Sequence, residues 1–184
     1  GFHEITQHLA NGLKIETSQE VQEIHWQETP VRVVTKSQEF TADRVIVTLP
    51  LGVLKADSVR FIPALPKSKT NAIRTLGMGV LNKCYLRFTE VFWPNDVDWL
   101  EYIAEDHGEW TEWVSFARTI GQPVLLGFNA GTRGREIEAL TDEEIVESAM
   151  QTLRTMYGDG IPEPIDFQIT RWASDPFARG SYSF

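Results

Sequence analysis

Hydrophobic positions along the chain change period several times, and each change marks an element. In HEITQHLAN, residues 3–11, Ile5 and Leu9 stand four apart ahead of Gly12, which predicts a short helix with a glycine stop. Short runs rich in apolar and β-branched residues follow: LKIE, VQEIHW, VRVVTK and EFTA, parted by polar or proline-containing breaks, read as strands. DRVIVTLP, residues 43–50, is apolar almost without interruption, the pattern of a strand buried on both faces, and Pro50 and Gly52 close it. LGVLK reads as a helical turn, PALP as an interruption, and KSKTNAIRTLG as a helix ending at Gly77.

GMGVLNKCYLRF, residues 77–88, then reads as a strand with a lysine in its middle. Alternation places Lys83 on one face with Leu81, Tyr85 and Arg87, a set that a solvated strand face explains by itself. WLEYIA, EWVSFAR, PVLLGFNA and DFQITRW are further strand candidates. TDEEIVESAMQTLRTMYG carries the clearest helix: Thr141 and Glu144 form a capping box, Ile145, Ala149, Leu153 and Met156 keep helical spacing, and Gly158 ends it. Strand groups with interspersed helices, rather than strict βαβ alternation, predict an α+β fold.

Composition narrows the classes. With 184 residues and 42% hydrophobic content the chain can bury a core and make one domain or two small ones. Seventeen Lys and Arg against 26 Asp and Glu leave a net charge of −9, which argues against nucleic acid and favours cationic partners. Cys84 is the single cysteine, so an intrachain disulfide and a cysteine metal cage are excluded. No stretch has the length of a membrane span and no signal-peptide pattern opens the chain, so a soluble protein is expected, its compartment open with the cytoplasm favoured. The start at Gly1 and the stop at Phe184, inside GSYSF, give the expectation of a piece of something longer.

Familiar catalytic signatures do not occur: GxGxxG, the P-loop, GxSxG and HExxH are all missing from the sequence. His3 and His8, five apart, miss a common helix face, and no metal site is expected. The carboxylates of DEE at 142–144 suit a helix start, and those of EDHGE at 105–109 a loop.

Three segments carry more information together: ADRVIVTLPLGVLK, GMGVLNKCYLRFTEVFWP and RWASDPFARGSYSF. In this order they closely resemble the flavin-dependent amine oxidases, in particular the branch of polyamine oxidases and lysine-specific histone demethylases. The resemblance runs over essentially the whole chain. It implies a partial FAD-binding domain over residues 1–79 and part of a mixed-sheet substrate domain over 80–184, with the Gly-rich diphosphate site and a later flavin-contacting segment outside the chain.

By the same resemblance, Val21 lies where the family places main-chain contacts to the FAD adenine region, and Thr48, Leu49 and Pro50 mark a strand end that passes the cofactor. Trp172, Phe177 and Tyr182 match aromatic positions around the flavin and substrate, Tyr182 on the substrate side; Phe177 is tryptophan in some relatives. Lys83 matches the lysine that faces the reactive edge of the flavin through a water molecule. The implied activity is oxidation of a polyamine-like cationic amine by hydride transfer to flavin N5, with O2 as reoxidant. The chain alone is expected to be inactive, to bind FAD poorly, and to self-associate through uncovered apolar surface. Two alternatives stand beside this: a non-catalytic module holding a cationic ligand or protein, and a flavin oxidase acting on another amine or an amino acid.

Overall fold

A computed structural model describes residues 2–104 and 108–184. The carboxylates and histidine at 105–107 of EDHGE lie outside the described residues. The chain divides into two compact units, residues 1–48 with 57–70 and residues 49–56 with 71–184.

The first unit holds helix α1 (Phe2–Ala10) and strands β1 (Val21–His25), β2 (Val31–Thr35), β3 (Glu39–Ala42) and β4 (Arg60–Ile62). They form a sheet in the order β3-β2-β1-β4, antiparallel except for the parallel β1–β4 pair. A polar cluster ties β1 to its neighbours. His25 Nε2 meets Glu23 at 2.9 Å, its Nδ1 meets Glu28 at 3.0 Å, Arg32 bonds Glu28, and Arg60 bonds Glu23. The hydrogen bond from His25, with Arg60 and Arg32 nearby, holds the Glu23 carboxyl below the usual range.

Two predicted strands do not form. LKIE is irregular, with Leu13 and Ile15 exposed, and residues 44–50 pair with nothing; Ile46 is 90% exposed. The reason is physical: an apolar run becomes a strand only when neighbouring strands complete its ladder, and no strand of the described residues does so here.

The second unit opens with helix α2 (Leu51–Lys55). The chain continues through α3 (Lys67–Thr75), β5 (Met78–Gly79), β6 (Leu81–Arg87), β7 (Trp99–Glu101), β8 (Glu112–Ser115), α4 (Ala117–Ile120) and β9 (Val124–Ala130). Next come α5 (Gly131–Glu136), a 3-10 turn at Ile137–Ala139, α6 (Asp142–Tyr157), β10 (Asp166–Ile169) and β11 (Tyr182–Ser183). Five strands make an antiparallel sheet in the order β10-β6-β9-β8-β7, and β11 pairs with β5.

The core lies on one side of this sheet. Cys84, Leu86, Phe88 and Leu125 pack with Ile145, Ala149, Met150 and Leu153 of α6, together with Trp93, Trp110 and Trp113. Each large apolar side chain so buried contributes about 1.5–3 kcal/mol. The indole N–H groups are satisfied: Trp93 donates to Ser115 Oγ, Trp110 to Ser148 Oγ and Trp113 to the Trp110 carbonyl. The capping box of α6 forms as its sequence predicts, with Glu144 N–H donating to Thr141 Oγ1 at 3.2 Å and Thr141 N–H to Glu144 Oε2 at 2.8 Å. The architecture is α+β. No helix of the described residues is long and apolar enough to cross a membrane.

Candidate functional site

Strand β6 decides where Lys83 goes. Its alternation turns Asn82, Cys84 and Leu86 into the core and leaves Leu81, Lys83 and Tyr85 half-buried on the opposite face. Across the ladder, Lys83 stands opposite Phe128 and Tyr85 opposite Leu126, and Phe128 stacks on Trp99 with ring centroids 5.9 Å apart. The ammonium therefore emerges on an apolar and aromatic surface. It has no hydrogen-bond or ion-pair partner among the described residues. A cation without a partner on such a face is free to meet a ligand. An electron-rich group set against the sheet would be attracted to it.

The C-terminal segment is drawn to the same strand. Thr170 N–H donates to the Lys83 carbonyl at 2.9 Å and Lys83 N–H donates to Thr170 Oγ1 at 2.8 Å, two residues ahead of Trp172. Tyr182 pairs with Gly79, four residues ahead of Lys83. The approach is so close that a Cβ on Gly79 would stand 2.4 Å from the Tyr182 ring, so any larger residue there must push the ring aside. Trp172, Phe177 and Tyr182 are 37%, 64% and 47% exposed, unusual for large aromatics without a function or a cover. Phe177 lies in a turn whose Asp175 side chain accepts its N–H at 2.7 Å. The next residues, Ala178 and Arg179, press their carbonyls against Gly52, where a Cβ would lie 2.5 Å from Arg179 O. Pro50 is the N-cap of that same α2, so the 177–179 turn, Pro50 and Leu49 belong to one neighbourhood of the second unit. Val21, half-buried at the start of β1, and Thr48, exposed, belong to the first unit.

Sequence reasoning passed over the polar groups beneath this surface. Asn82, 3% exposed, sits in the buried stripe of Val80, Cys84, Leu86 and Phe88. Its amide donates to Gly134 O at 2.8 Å and Glu138 Oε1 at 2.6 Å, and its oxygen accepts from Trp172 N–H at 3.0 Å. Glu138 accepts from the N–H groups of Ala173 and Ser174 and from the Ser174 hydroxyl. Burial works to raise the Glu138 pKa, but these hydrogen bonds together outweigh it and hold the carboxyl below its usual range. The one signal in the sequence was a single asparagine interrupting an apolar period-two stripe.

Several concavities open on the second unit among the described residues. One, of about 390 Å³, is lined by Tyr85, Arg87, Val124, Asp166, Phe167 and Gln168, and so shares Tyr85 with the Lys83 face. Another, of about 420 Å³, is lined by Tyr102, Glu109, Ser148 and Gln151 among others, and of the residues named from sequence contains only Glu109 of the EDHGE loop, none of the candidate site residues. Among the described residues no group of three or more His, Cys, Asp or Glu is placed to hold a metal.

A flavin ring fits the chemistry of what is present: a cation without a partner among the described residues, on a sheet face that also carries Tyr85 and the stacked Phe128 and Trp99 rings. A dinucleotide diphosphate has no counterpart in the sequence, which lacks the Gly-rich turn.

Comparison with known proteins bears on the family of the chain. Polyamine oxidase 4 of Oryza sativa subsp. japonica is 40% identical over 184 residues, covering 100% of this chain and 37% of that protein. Lysine-specific histone demethylase 1 homolog 1 of the same organism is 37% identical over 182 residues, covering 96% of this chain and 21% of that protein. Polyamine oxidase 2 of Arabidopsis thaliana is 36% identical over 185 residues, with 100% and 37% covered. The chain thus spans 37% or less of the length of these curated relatives. In fold it is similar to wild-type putrescine oxidase bound to putrescine, at a TM-score of 0.78 and 20% identity over 97% of this chain and 40% of that one. The family model for flavin containing amine oxidoreductases matches residues 1–184, and the chain belongs to that family, in the branch of the polyamine oxidases and lysine-specific histone demethylases.

Proposed function

We propose that this chain supplies the lysine-bearing face and aromatic border of an FAD-dependent oxidase acting on a polyamine-like amine. The observation that carries the reading is Lys83: a half-buried lysine whose ammonium has no partner among the described residues, on an aromatic sheet face. In this reading residues 1–79 belong to the FAD-binding domain and 80–184 to the substrate domain. Bound FAD would supply a hydride acceptor for the carbon next to the amine nitrogen and, on return to its oxidised form, the electrons that convert O2 to hydrogen peroxide.

The chain's own residues do the rest. Lys83 presents positive charge where negative charge gathers during reduction and reaction with oxygen. Trp172 and Phe177 border the ring and exclude water, and Tyr182 flanks the amine. Val21, Thr48, Leu49 and Pro50 contribute backbone along the cofactor's length. An aromatic surround also favours the neutral amine, which is the form able to lose hydride. The net charge of −9 favours approach of a polycation.

The 184-residue chain by itself is expected to be inactive, because nothing in its sequence is built to hold the diphosphate. The test is a flavin spectrum after incubation with FAD and gel filtration, on this chain and on the whole protein that contains it. Flavin and its bleaching by spermidine should appear only in the whole protein, with bleaching and reoxidation slowed in Lys83→Met. Spermidine binding without bleaching in the flavin-loaded whole protein would instead indicate a non-catalytic module.

A further inference from the structure

We infer that Glu138 and Asn82 form a clamp that positions Lys83 and Trp172 relative to each other; the inference rests on the function proposed for Lys83. Three segments remote in sequence meet at these two side chains: β6, the 3-10 turn after α5, and residues 170–174 after β10. Asn82 exhausts its side chain. Both amide hydrogens are donated, to Gly134 O and Glu138 Oε1, and its oxygen accepts from Trp172 N–H and from Thr170 Oγ1 at 3.3 Å. Glu138 accepts four hydrogen bonds on its two oxygens: from Asn82 at 2.6 Å, Ala173 N–H at 2.9 Å, Ser174 N–H at 2.7 Å and Ser174 Oγ at 2.6 Å.

The clamp reaches the Lys83 backbone through one atom. Thr170 Oγ1 accepts from Lys83 N–H while donating to Asn82 Oδ1, so Lys83 and Trp172 are held by the same asparagine oxygen, one through a hydroxyl and one directly. Because alternation sends neighbouring side chains to opposite faces, the clamp lies on the core side of β6 and Lys83 on the other. Glu138 and Asn82 therefore act as positioning residues. A fully satisfied network anchored on the buried Asn82 amide fixes a unique arrangement, whereas one missing acceptor on Glu138 leaves donors unpaired. Glu138→Gln does this with almost no change of shape: its NH2 must face the N–H of Ala173 or Ser174.

The experiment uses the flavin-loaded whole protein containing this chain. Wild type, Glu138→Gln, Lys83→Met and Leu153→Ala are reduced with dithionite and mixed with oxygenated buffer; the flavin midpoint potential is measured alongside. Lys83→Met and Glu138→Gln are both expected to slow reoxidation by about tenfold or more and to shift the potential downward. Leu153→Ala, a core truncation on α6, should lower Tm yet leave the oxygen rate within about twofold. A wild-type rate and potential in Glu138→Gln, with Lys83→Met slowed, overturns the clamp alone. Wild-type behaviour in Lys83→Met overturns the role of Lys83 and the clamp with it. If Glu138→Gln releases the flavin, Thr170→Val decides: it removes the hydroxyl that links Lys83 to Asn82, and slowed reoxidation supports the clamp while a wild-type rate overturns it.

Discussion

Neighbouring residues on β6 differ sharply in how far their roles can be read from sequence. Lys83, on the strand pattern alone, is an ordinary solvated lysine; only the family resemblance of the three ordered segments implies a role for it, and only the fold shows its ammonium without a partner among the described residues, on an aromatic face. Asn82 was invisible because its partners, Gly134, Glu138 and Trp172, lie 52 to 90 positions away and no local spacing encodes them. Cys84, next along the buried face, is a packing residue: it is 1% exposed, and burial, with the charge of Asp142 adding to it, pushes its thiol up to about 12. The native chain should therefore leave a thiol reagent such as DTNB unreacted at mildly alkaline pH and release one equivalent of chromophore in denaturant. Rapid native labelling would show that β6 opens. Gly79 makes a second residue-scale prediction. Gly79→Ala places a methyl group against the Tyr182 ring and should detach β11 from β5, seen as increased quenching of tyrosine fluorescence, at a cost of about 1–3 kcal/mol for an overpacked contact.

Among the elements, α6 was the most legible, since its boundaries, capping box and buried stripe are all local properties of sixteen residues. Thr141→Ala removes the hydroxyl that accepts from Glu144 and should cost about 1 kcal/mol in denaturant unfolding; an unchanged midpoint would show the cap to be redundant. The run Gly131–Ala139 was missed for the opposite reason: two glycines and scattered arginines give no apolar period, and the helix forms because Gly134 and Ile137 are buried by tertiary packing. β4, three residues before Pro63, carries too little pattern to announce a strand and exists through parallel pairing with β1. Ala173 and Ser174, after β10, are held by Glu138, which gives this turn a pH dependence. Since hydrogen bonding lowers the folded pKa of Glu138 beneath its ordinary 4.5, its contribution is fully present above that value and disappears as pH falls through the folded pKa. The Tm difference between wild type and Glu138→Gln should thus be widest near neutrality and close in acid. A difference that stays constant into acid would mean that the carboxylate charge plays no part in holding Ala173 and Ser174.

At the scale of the whole molecule, the α+β class and the family were legible from patterns and ordered motifs, whereas the fate of the most apolar strand candidate was not. Residues 44–50 have the composition of a doubly buried strand and yet pair with nothing, because burial is a property of neighbours and the sequence of a segment does not contain them. The same holds for α1, where Phe2, Ile5 and Leu9 have helical spacing but are 89%, 55% and 69% exposed. In full-length relatives, of which this chain spans 37% or less, further chain is available to cover such surfaces. Expressed alone, the 184-residue chain is left with uncovered apolar side chains on both α1 and the 44–50 run, and the hydrophobic effect favours their burial against another copy. Net charge of −9 opposes this association, so salt should strengthen it by screening. Sedimentation velocity over a range of concentrations should show weight-average mass rising above 20.9 kDa, more so at high ionic strength. Ile46→Lys, which places a charge on a side chain that is 90% exposed and therefore costs the fold little, should return the distribution toward monomer. A monomer at every concentration and salt level would mean that these apolar side chains find their cover within the chain itself.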